Sequence, residues 1–122
     1  TASDTLSLHD ALPIWYIFPQ IKGLGKSNIN EYYSLGGIKD AVAFYNDEIL
    51  GPRLIKLCET LLGLPNDYYI EDIMGSPDDM KLKSSMTLFY LSTNDQIFKD
   101  VLNKYFGGEL DSRTLRILNK QI

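Results

Sequence analysis

Hydrophobic residues recur along most of this chain with the period of an α-helix, and glycine, proline and capping residues divide the pattern into short segments. The segments with a helical pattern or helix caps are 27–37, 38–65, 66–75, 76–93, 94–108 and 111–122. The stretch 15–27 differs, because it is apolar and then broken by Pro19, Gly23 and Gly25, which predicts a short buried segment that leads into a loop. Since no pair of segments carries a hairpin signal, the pattern predicts one all-α domain of about six or seven short helices.

The segment 38–65 has helical spacing on both sides of Gly51 and Pro52. Its leucines keep the helical period across this point, at Leu50, Leu54, Leu57, Leu61 and Leu62. Proline is tolerated in the first turn of a helix, where its missing N–H would have no partner inside the helix. We therefore expect either one kinked helix or two consecutive helices here.

Capping residues predict the ends of the next two helices. The segment after residue 65 is expected to be capped by Asn66 or Asp67 and to close at Gly75. The following helix has Ser76 as its cap and Pro77 at its first helical position, with two acids in its first turn. This is the strongest helix start in the chain.

The last two helical segments have a clear apolar face or a clear cap. The apolar side chains of segment 94–108 fall on one face, at Ile97, Val101, Leu102 and Phe106. That segment ends in two glycines, which are typical of a helix C-terminus. Asp111 is expected to cap the final helix.

Composition excludes several classes of function. The chain has 122 residues, of which 44% are hydrophobic and 23% charged, and its net charge is −4. Its basic residues are scattered, so it lacks the basic patch of a nucleic-acid-binding protein. No apolar run approaches the roughly 20 residues that cross a bilayer, so we expect no membrane partner. The single cysteine, Cys58, excludes an internal disulfide, fits a reducing compartment and is expected in a helical core.

The first 14 residues are interpreted as translated sequencing adapter. The stretch TLSLHDALPI back-translates to a common short-read adapter in one frame, and the flanking residues fit the surrounding index and junction bases. The alternative is a genuine N-terminal helix capped by Ser7 or Asp4. Because the adapter interpretation makes His9 foreign, we exclude it from any mechanism, and residues 15–122 then contain no histidine for triad or metal chemistry.

The helix that begins near residue 77 presents a band of small hydroxyl groups beside a lysine. The side chains at helical spacing on this side are Lys81, Ser84, Ser85, Thr87, Leu88 and Leu91. With Asp78 and Asp79 at the helix start, the pattern is typical of a polar pocket wall that binds a hydroxyl-rich or phosphorylated ligand. The alternative is that Ser and Thr permit close helix packing, while the acids stabilise the helix N-terminus and pair with Lys81 and Lys83.

A second candidate is the loop GLGKS at 23–27, which contains Lys26 and precedes a predicted helix. Free backbone N–H groups and a lysine at such a position can bind an anion. The full Walker spacing is absent, so an ordinary capped loop is the alternative. Gln20 lies nearby and must find a hydrogen-bond partner if it is buried. Aromatic residues near this loop either stack on a base or belong to the core: Trp15, Tyr16, Phe18, Tyr32 and Tyr33.

Four phrases of the sequence resemble one bacterial family. They are WYIFPQIKGLGKS, LGPRL, GSPDDMKLKSSMTLF and VLNKYFGGELDSRTLRIL, and they occur in the order found in the family of unknown function 1810. The resemblance covers residues 15–122 and implies a mostly helical, cytoplasmic protein without an established activity. The label calpastatin, often given to this family, fits poorly, because true calpastatin is disordered and this chain is predicted to be globular.

The resemblance also has one departure. Family members usually begin with a further helix that ends in a His-Trp pair just before the aromatic segment. In this sequence the adapter-like stretch stands in its place, so the resemblance implies that an N-terminal helix is missing.

Two hypotheses of function follow from these residues. The first is binding or processing of a small polar ligand such as a nucleotide or, by analogy with other small helical domains, an ADP-ribose derivative. Its catalytic candidates are Asp78, Asp79 and Lys81, and its ligand-binding candidates are Gln20, Lys26, Ser84, Ser85 and Thr87. The second is a non-catalytic protein-interaction module. Neither hypothesis invokes a metal or another cofactor.

Overall fold

The computed structural model describes residues 18–24, 35–76 and 78–121. These residues form six α-helices, which are α1 (Ile38–Asn46), α2 (Leu50–Leu62), α3 (Ile70–Met74), α4 (Asp78–Thr93), α5 (Gln96–Phe106) and α6 (Ser112–Lys120). Between these described ranges the only extended pairing is an isolated parallel bridge from Ile21 to Leu35. The prediction of an all-α fold is confirmed.

The break between α1 and α2 falls at residues 47–49, a few residues before Gly51. The carboxylate of Asp47 accepts hydrogen bonds from the backbone N–H groups of Ile49 and Leu50, both at 2.9 Å, and so satisfies two donors at the start of α2. These bonds hold the pKa of Asp47 below its ordinary value. Of the two predicted alternatives, the structure has two consecutive helices, and Pro52 lies in the first turn of the second.

The predicted cap of α3 is wrong, whereas its predicted end is confirmed. The chain turns at residues 65–69, where the N–H of Tyr68 donates to the carbonyl of Pro65, so the helix begins at Ile70 instead of directly after Asn66 or Asp67. Gly75 closes the helix with φ 79°, a left-handed conformation that favours glycine.

Helix α4 is the central helix of the described fold, because α1, α3, α5 and α6 all pack against it. Its buried residues are Asp79, Leu82 and the run Ser84–Phe89. Such a run covers every side of the helix instead of one stripe, which is typical of a helix surrounded by others. The polar residues predicted as a pocket wall therefore lie on the most enclosed helix that the structure describes.

Aromatic rings join α4 to the helices on either side. The ring of Phe89 lies 5.6 Å from that of Phe44 on α1 and 5.4 Å from that of Phe98 on α5, measured between centroids. Tyr45 adds an edge contact to Phe98 at 5.9 Å. Ring pairs at these distances contribute stability beyond the area that they bury. They form the centre of the core.

The predicted ends of α5 and α6 are confirmed. Helix α5 ends at Gly107, which has φ 63°, and the N–H of Gly108 donates to the carbonyl of Leu102. Asp111 caps α6, since its carboxylate accepts from the backbone N–H and the hydroxyl of Thr114 at 2.9 and 2.7 Å. Both arrangements are local, which is why the sequence alone indicates them.

Residues 18–24 form the short buried segment that the sequence predicts. Phe18 and Ile21 are buried, and the backbone of this segment exchanges two hydrogen bonds of 2.7 Å with Leu35. The guanidinium of Arg113 on α6 donates to the carbonyl of Leu24 at 2.8 Å. The predicted helix 27–37 and the adapter-like residues 1–14 lie wholly or largely outside the described residues.

Candidate functional site

The first two turns of α4 hold the three residues predicted to act on a ligand. Asp78 and Lys81 lie one turn apart, with 3.7 Å between the carboxylate oxygen and the ammonium nitrogen, and both side chains are partly exposed. Asp79 is 9% exposed. Its Oδ1 is buried and has no hydrogen-bond partner within the described part of the chain. The first turn of the central helix therefore carries one ion pair, Asp78 with Lys81, and one buried carboxylate, Asp79.

A buried carboxylate oxygen without a donor among the described residues, such as Oδ1 of Asp79, is energetically unusual. Buried polar atoms in native proteins almost always have a partner, and an unsatisfied one costs about 1–3 kcal/mol. Such an atom is typical of a place where water, an ion or a ligand completes the hydrogen bonding. A carboxylate oxygen accepts only, so the missing partner must be a donor.

The hydroxyls of Ser84 and Thr87 are used inside the fold. Ser84 donates to the carbonyl of Met80 at 3.1 Å, and Thr87 donates to the carbonyl of Lys83 at 2.9 Å. Thr87 also accepts a 2.8 Å hydrogen bond from the backbone N–H of Asp111 and so joins α4 to the start of α6. Both hydroxyls are thus engaged in holding α4 and its neighbour.

Ser85 is fully buried and its hydroxyl has no partner among the described residues. The hydroxyl of Ser92, seven residues further along α4, is also buried and also has no partner among the described residues. Ser92 was not predicted as a site residue from the sequence. Seven residues make nearly two turns, so Asp78, Ser85 and Ser92 follow one another along one side of α4. Beyond Asp78, this side of α4 therefore carries two buried hydroxyls that have no partner among the described residues.

Gln20 and Lys26, the other predicted ligand contacts, are not shown to join this group. Gln20 is buried, and its backbone carbonyl accepts from the N–H of Leu35. No hydrogen bond or ion pair between described residues links Gln20 to α4. Lys26 lies outside the residues that the structure describes.

Lys83 does not pair with the acids at the start of α4. Its ammonium lies 2.5 Å from a carboxylate oxygen of Glu109 and about 6.0 Å from the centre of the Phe106 ring. These contacts join α4 to the chain that follows α5. The alternative in which the first-turn acids pair with both lysines is therefore correct for Lys81 alone.

A pocket of about 450 Å³ lies at the start of α1, away from α4. It is lined by Gly36, Gly37, Ile38, Lys39, Asp40, Leu118 and Gln121. Its polar groups bond to one another, since Gln121 donates to the carbonyl of Gly36 at 2.7 Å and Asp40 accepts from the Gly36 N–H at 2.9 Å. The sequence did not indicate this pocket, in which Gly36, Asp40 and Gln121 are already hydrogen-bonded to one another.

Tyr45 and Asp95 form a further polar contact that is structural. The Tyr45 hydroxyl donates to Oδ2 of Asp95 at 2.5 Å, while Oδ1 of Asp95 accepts from the N–H of Ile97 at the start of α5. The hydrogen bond to Asp95 raises the pKa of Tyr45 above its ordinary value. The pair joins the end of α1 to the cap of α5.

Cys58 is a core residue, as the sequence predicts. It is fully buried, and its sulfur lies 3.7 Å from that of Met86 on α4. Burial raises the pKa of Cys58 to about 12, with smaller contributions from the charges of Asp95 and Glu59. The thiol therefore stays protonated at neutral pH and is a poor nucleophile.

Cys58 should accordingly resist thiol reagents while the protein is folded. At pH 8 a pKa of about 12 leaves roughly one thiol in ten thousand ionised, and burial blocks access as well. Ellman's reagent should release its chromophore slowly in native buffer and at once in denaturant. A reaction in native buffer as fast as that of free cysteine would contradict the buried position.

The described residues contain no group of three or more His, Cys, Asp or Glu side chains placed to hold a metal ion. Within the same residues, no helix is long and apolar enough to cross a bilayer.

Comparison with known proteins gives a family and one solved relative. The model of the family described as "Protein of unknown function (DUF1810)" matches residues 9–118. That match begins inside segment 1–14, whose interpretation as adapter stays a prediction. The chain is similar to the conserved hypothetical protein Rv1873 from Mycobacterium tuberculosis, at 36% identity and a TM-score of 0.87, over 96% of this chain and 87% of that one.

No functionally curated protein matches the chain. The family match spans most of its length, and the solved relative has a similar fold at substantial identity. Both findings agree with the resemblance seen in the sequence. The chain belongs to the DUF1810 family of proteins of unknown function.

Proposed function

We propose that this protein binds a small phosphorylated ligand with free hydroxyl groups, of the nucleotide or ADP-ribose type, at the first two turns of α4. The observation that carries the proposal is the buried Oδ1 of Asp79, which lacks a hydrogen-bond donor among the described residues. A sugar hydroxyl supplies such a donor. In this proposal the carboxylate of Asp79 accepts a hydrogen bond from a hydroxyl group of the ligand's sugar.

Lys81 supplies the complementary charge for a phosphate. Its ammonium lies 3.7 Å from a carboxylate oxygen of Asp78, and both side chains are partly exposed. A phosphate bound beside this helix start would give the ammonium a second anionic partner. Asp78 then remains beside Lys81 as a second acceptor for ligand hydroxyls.

The contacts on both sides of α4 support a preformed site. The helix is fixed by the rings around Phe89 and by the hydrogen bond between Thr87 and Asp111. Polar groups on a fixed helix lose little conformational freedom when a ligand binds, which favours affinity. Ser84 and Thr87 have the supporting role in this proposal, and the ligand contacts are Asp78, Asp79 and Lys81.

Ligand-induced stabilisation tests the proposal. ADP-ribose, AMP and ribose 5-phosphate are added separately to the protein during thermal melting. A ligand at about 100 times its Kd stabilises the folded state by about 2.7 kcal/mol, which raises the Tm by roughly 8 °C or more. We expect such a rise with at least one of the three.

Two variants and one control locate the effect. Asp79→Asn and Lys81→Met should abolish the rise, whereas Lys56→Met, which removes an exposed lysine on α2, should keep it. The proposal fails if none of the three compounds stabilises the wild-type protein. It also fails if the compounds stabilise the two α4 variants as much as the wild type. Asp79 and Lys81 would then be structural residues, as the interaction-module hypothesis expects.

A further inference from the structure

Two neighbouring tyrosines stand out on the surface between α2 and α3. Tyr68 is 46% exposed and Tyr69 is 69% exposed, and they belong to the few large apolar or aromatic side chains that the described surface exposes. The chain just before these tyrosines is held by hydrogen bonds from α5. The Tyr105 hydroxyl donates to the carbonyl of Leu61 at 2.5 Å, and the Lys104 ammonium donates to the carbonyls of Leu62 and Leu64.

The charged residues in the sequence around these tyrosines are all acidic. Residues 57–80 contain six acids and no lysine or arginine, while the rest of the chain has twelve bases and ten acids. Three of the six acids, Asp67, Glu71 and Asp72, are exposed and lie within three residues of a tyrosine. Three exposed acids therefore lie close in sequence to the two exposed rings, in a segment without a basic residue.

Two lysines on the helices that follow have other partners. The Lys104 ammonium is partly buried and donates to backbone carbonyls at the base of the loop. Lys81 lies beside Asp78, one turn into α4. No ion pair between described residues involves Asp67, Glu71 or Asp72, and all three are exposed to solvent.

We propose that Asp67, Tyr68, Tyr69, Glu71 and Asp72, here called the tyrosine surface, dock a basic segment of a partner protein. The segment would carry arginine or lysine side chains next to an aliphatic one. Tyrosine rings attract cations through their π faces and pack against aliphatic carbons, and tyrosine is enriched among the residues that dominate interface energies. The carboxylates attract the same cations and raise the association rate.

Binding of a designed peptide tests this surface. The probe is a fluorescently labelled peptide built from repeats of Arg-Leu-Arg-Ser, and its anisotropy is followed as protein is added. We expect saturable binding that weakens as salt rises from about 50 to about 300 mM, because exposed charges are screened over a shorter distance at higher ionic strength. A matched peptide with Glu in place of Arg should not bind.

Substitutions assign the binding to the tyrosine surface. Combining Tyr68→Ala with Tyr69→Ala should raise the Kd about tenfold or more, as expected for central aromatic contacts. Combining Glu71→Gln with Asp72→Asn should also raise the Kd and should reduce its salt dependence. Combining Glu48→Gln with Asp100→Asn, which removes two exposed acids elsewhere, should leave the Kd unchanged.

The outcomes separate this surface from the ligand site on α4. Asp79→Asn should not change peptide binding, and the tyrosine variants should not change stabilisation by phosphorylated sugars. Absence of peptide binding, equal binding of the Glu peptide, or an unchanged Kd in both the tyrosine and the acid variants overturns the proposal. Thermal melting and circular dichroism of each variant verify that it is folded.

Discussion

Replacing Phe89 with alanine should lower the free energy of unfolding by about 3–5 kcal/mol. Phe89 is fully buried in the middle of α4, and its ring contacts those of Phe44 and Phe98. The substitution removes the central ring of the core and leaves a cavity between three helices. A loss of this size is a large part of the roughly 5–15 kcal/mol that stabilises a typical domain.

Chemical denaturation, followed by circular dichroism, measures this effect. Tyr90→Ala is the matched control, because Tyr90 is the next residue on the same helix and is only partly buried. It should cost clearly less than Phe89→Ala. Similar losses for the two variants would mean that Phe89 is not at the centre of the core.

Replacing Gly51 with alanine should also destabilise the protein, by about 3 kcal/mol. A methyl group at this position would lie 2.0 Å from the backbone carbonyl oxygen of Tyr45, so the end of α1 and the start of α2 would have to separate. Alanine favours a helix over glycine by about 1 kcal/mol, which opposes the loss. The overlap is with rigid backbone, and therefore it should outweigh the gain.

Gly63→Ala separates the two effects. Gly63 lies at the other end of α2 in a right-handed conformation, and a methyl group there would lie 3.4 Å from the nearest atom, the carbonyl oxygen of Glu59. We expect its free energy of unfolding to change by less than about 1 kcal/mol. If Gly51→Ala is as stable as Gly63→Ala, the helices approach each other less closely than the structure shows.

The sequence predicted those features of the fold that depend on neighbouring residues. The Asp111 cap acts on an N–H three residues away, and Gly75 and Gly107 end helices by their own backbone conformation. The start of α3 was predicted wrongly because two capping residues, Asn66 and Asp67, lie in a turn that delays the helix. The capping preference of a residue indicates that a helix begins nearby, but it does not determine the first residue of that helix.

Long-range contacts decided which polar residues are available for function. Thr87 looked like part of a pocket wall, yet it accepts from the N–H of Asp111, which is 24 residues away in the chain. Lys83 likewise pairs with Glu109 instead of the nearby acids. Helical spacing places side chains on one face but does not show what packs against that face.

The candidate site was therefore only partly predictable. Asp78, Asp79 and Lys81 could be grouped from their spacing, because all three lie within two turns of one helix start. The lack of a donor to the Asp79 oxygen among the described residues could not be predicted from the sequence, because it depends on burial by the rest of the fold. The tyrosine surface was missed for the opposite reason, since aromatic residues in a predicted helix are more often part of a core, and only the fold exposes Tyr68 and Tyr69.

Amide chemical shifts during titration with ADP-ribose, AMP or ribose 5-phosphate test the proposed ligand site most directly. We expect the compound that stabilises the protein to shift the backbone amides of Asp79, Met80 and Lys81 most, with smaller changes around Ser85. Largest shifts around Gly36–Asp40 and Gln121 would place the ligand in the pocket at the start of α1 and contradict the proposal. The absence of any shift with all three compounds would contradict it as well.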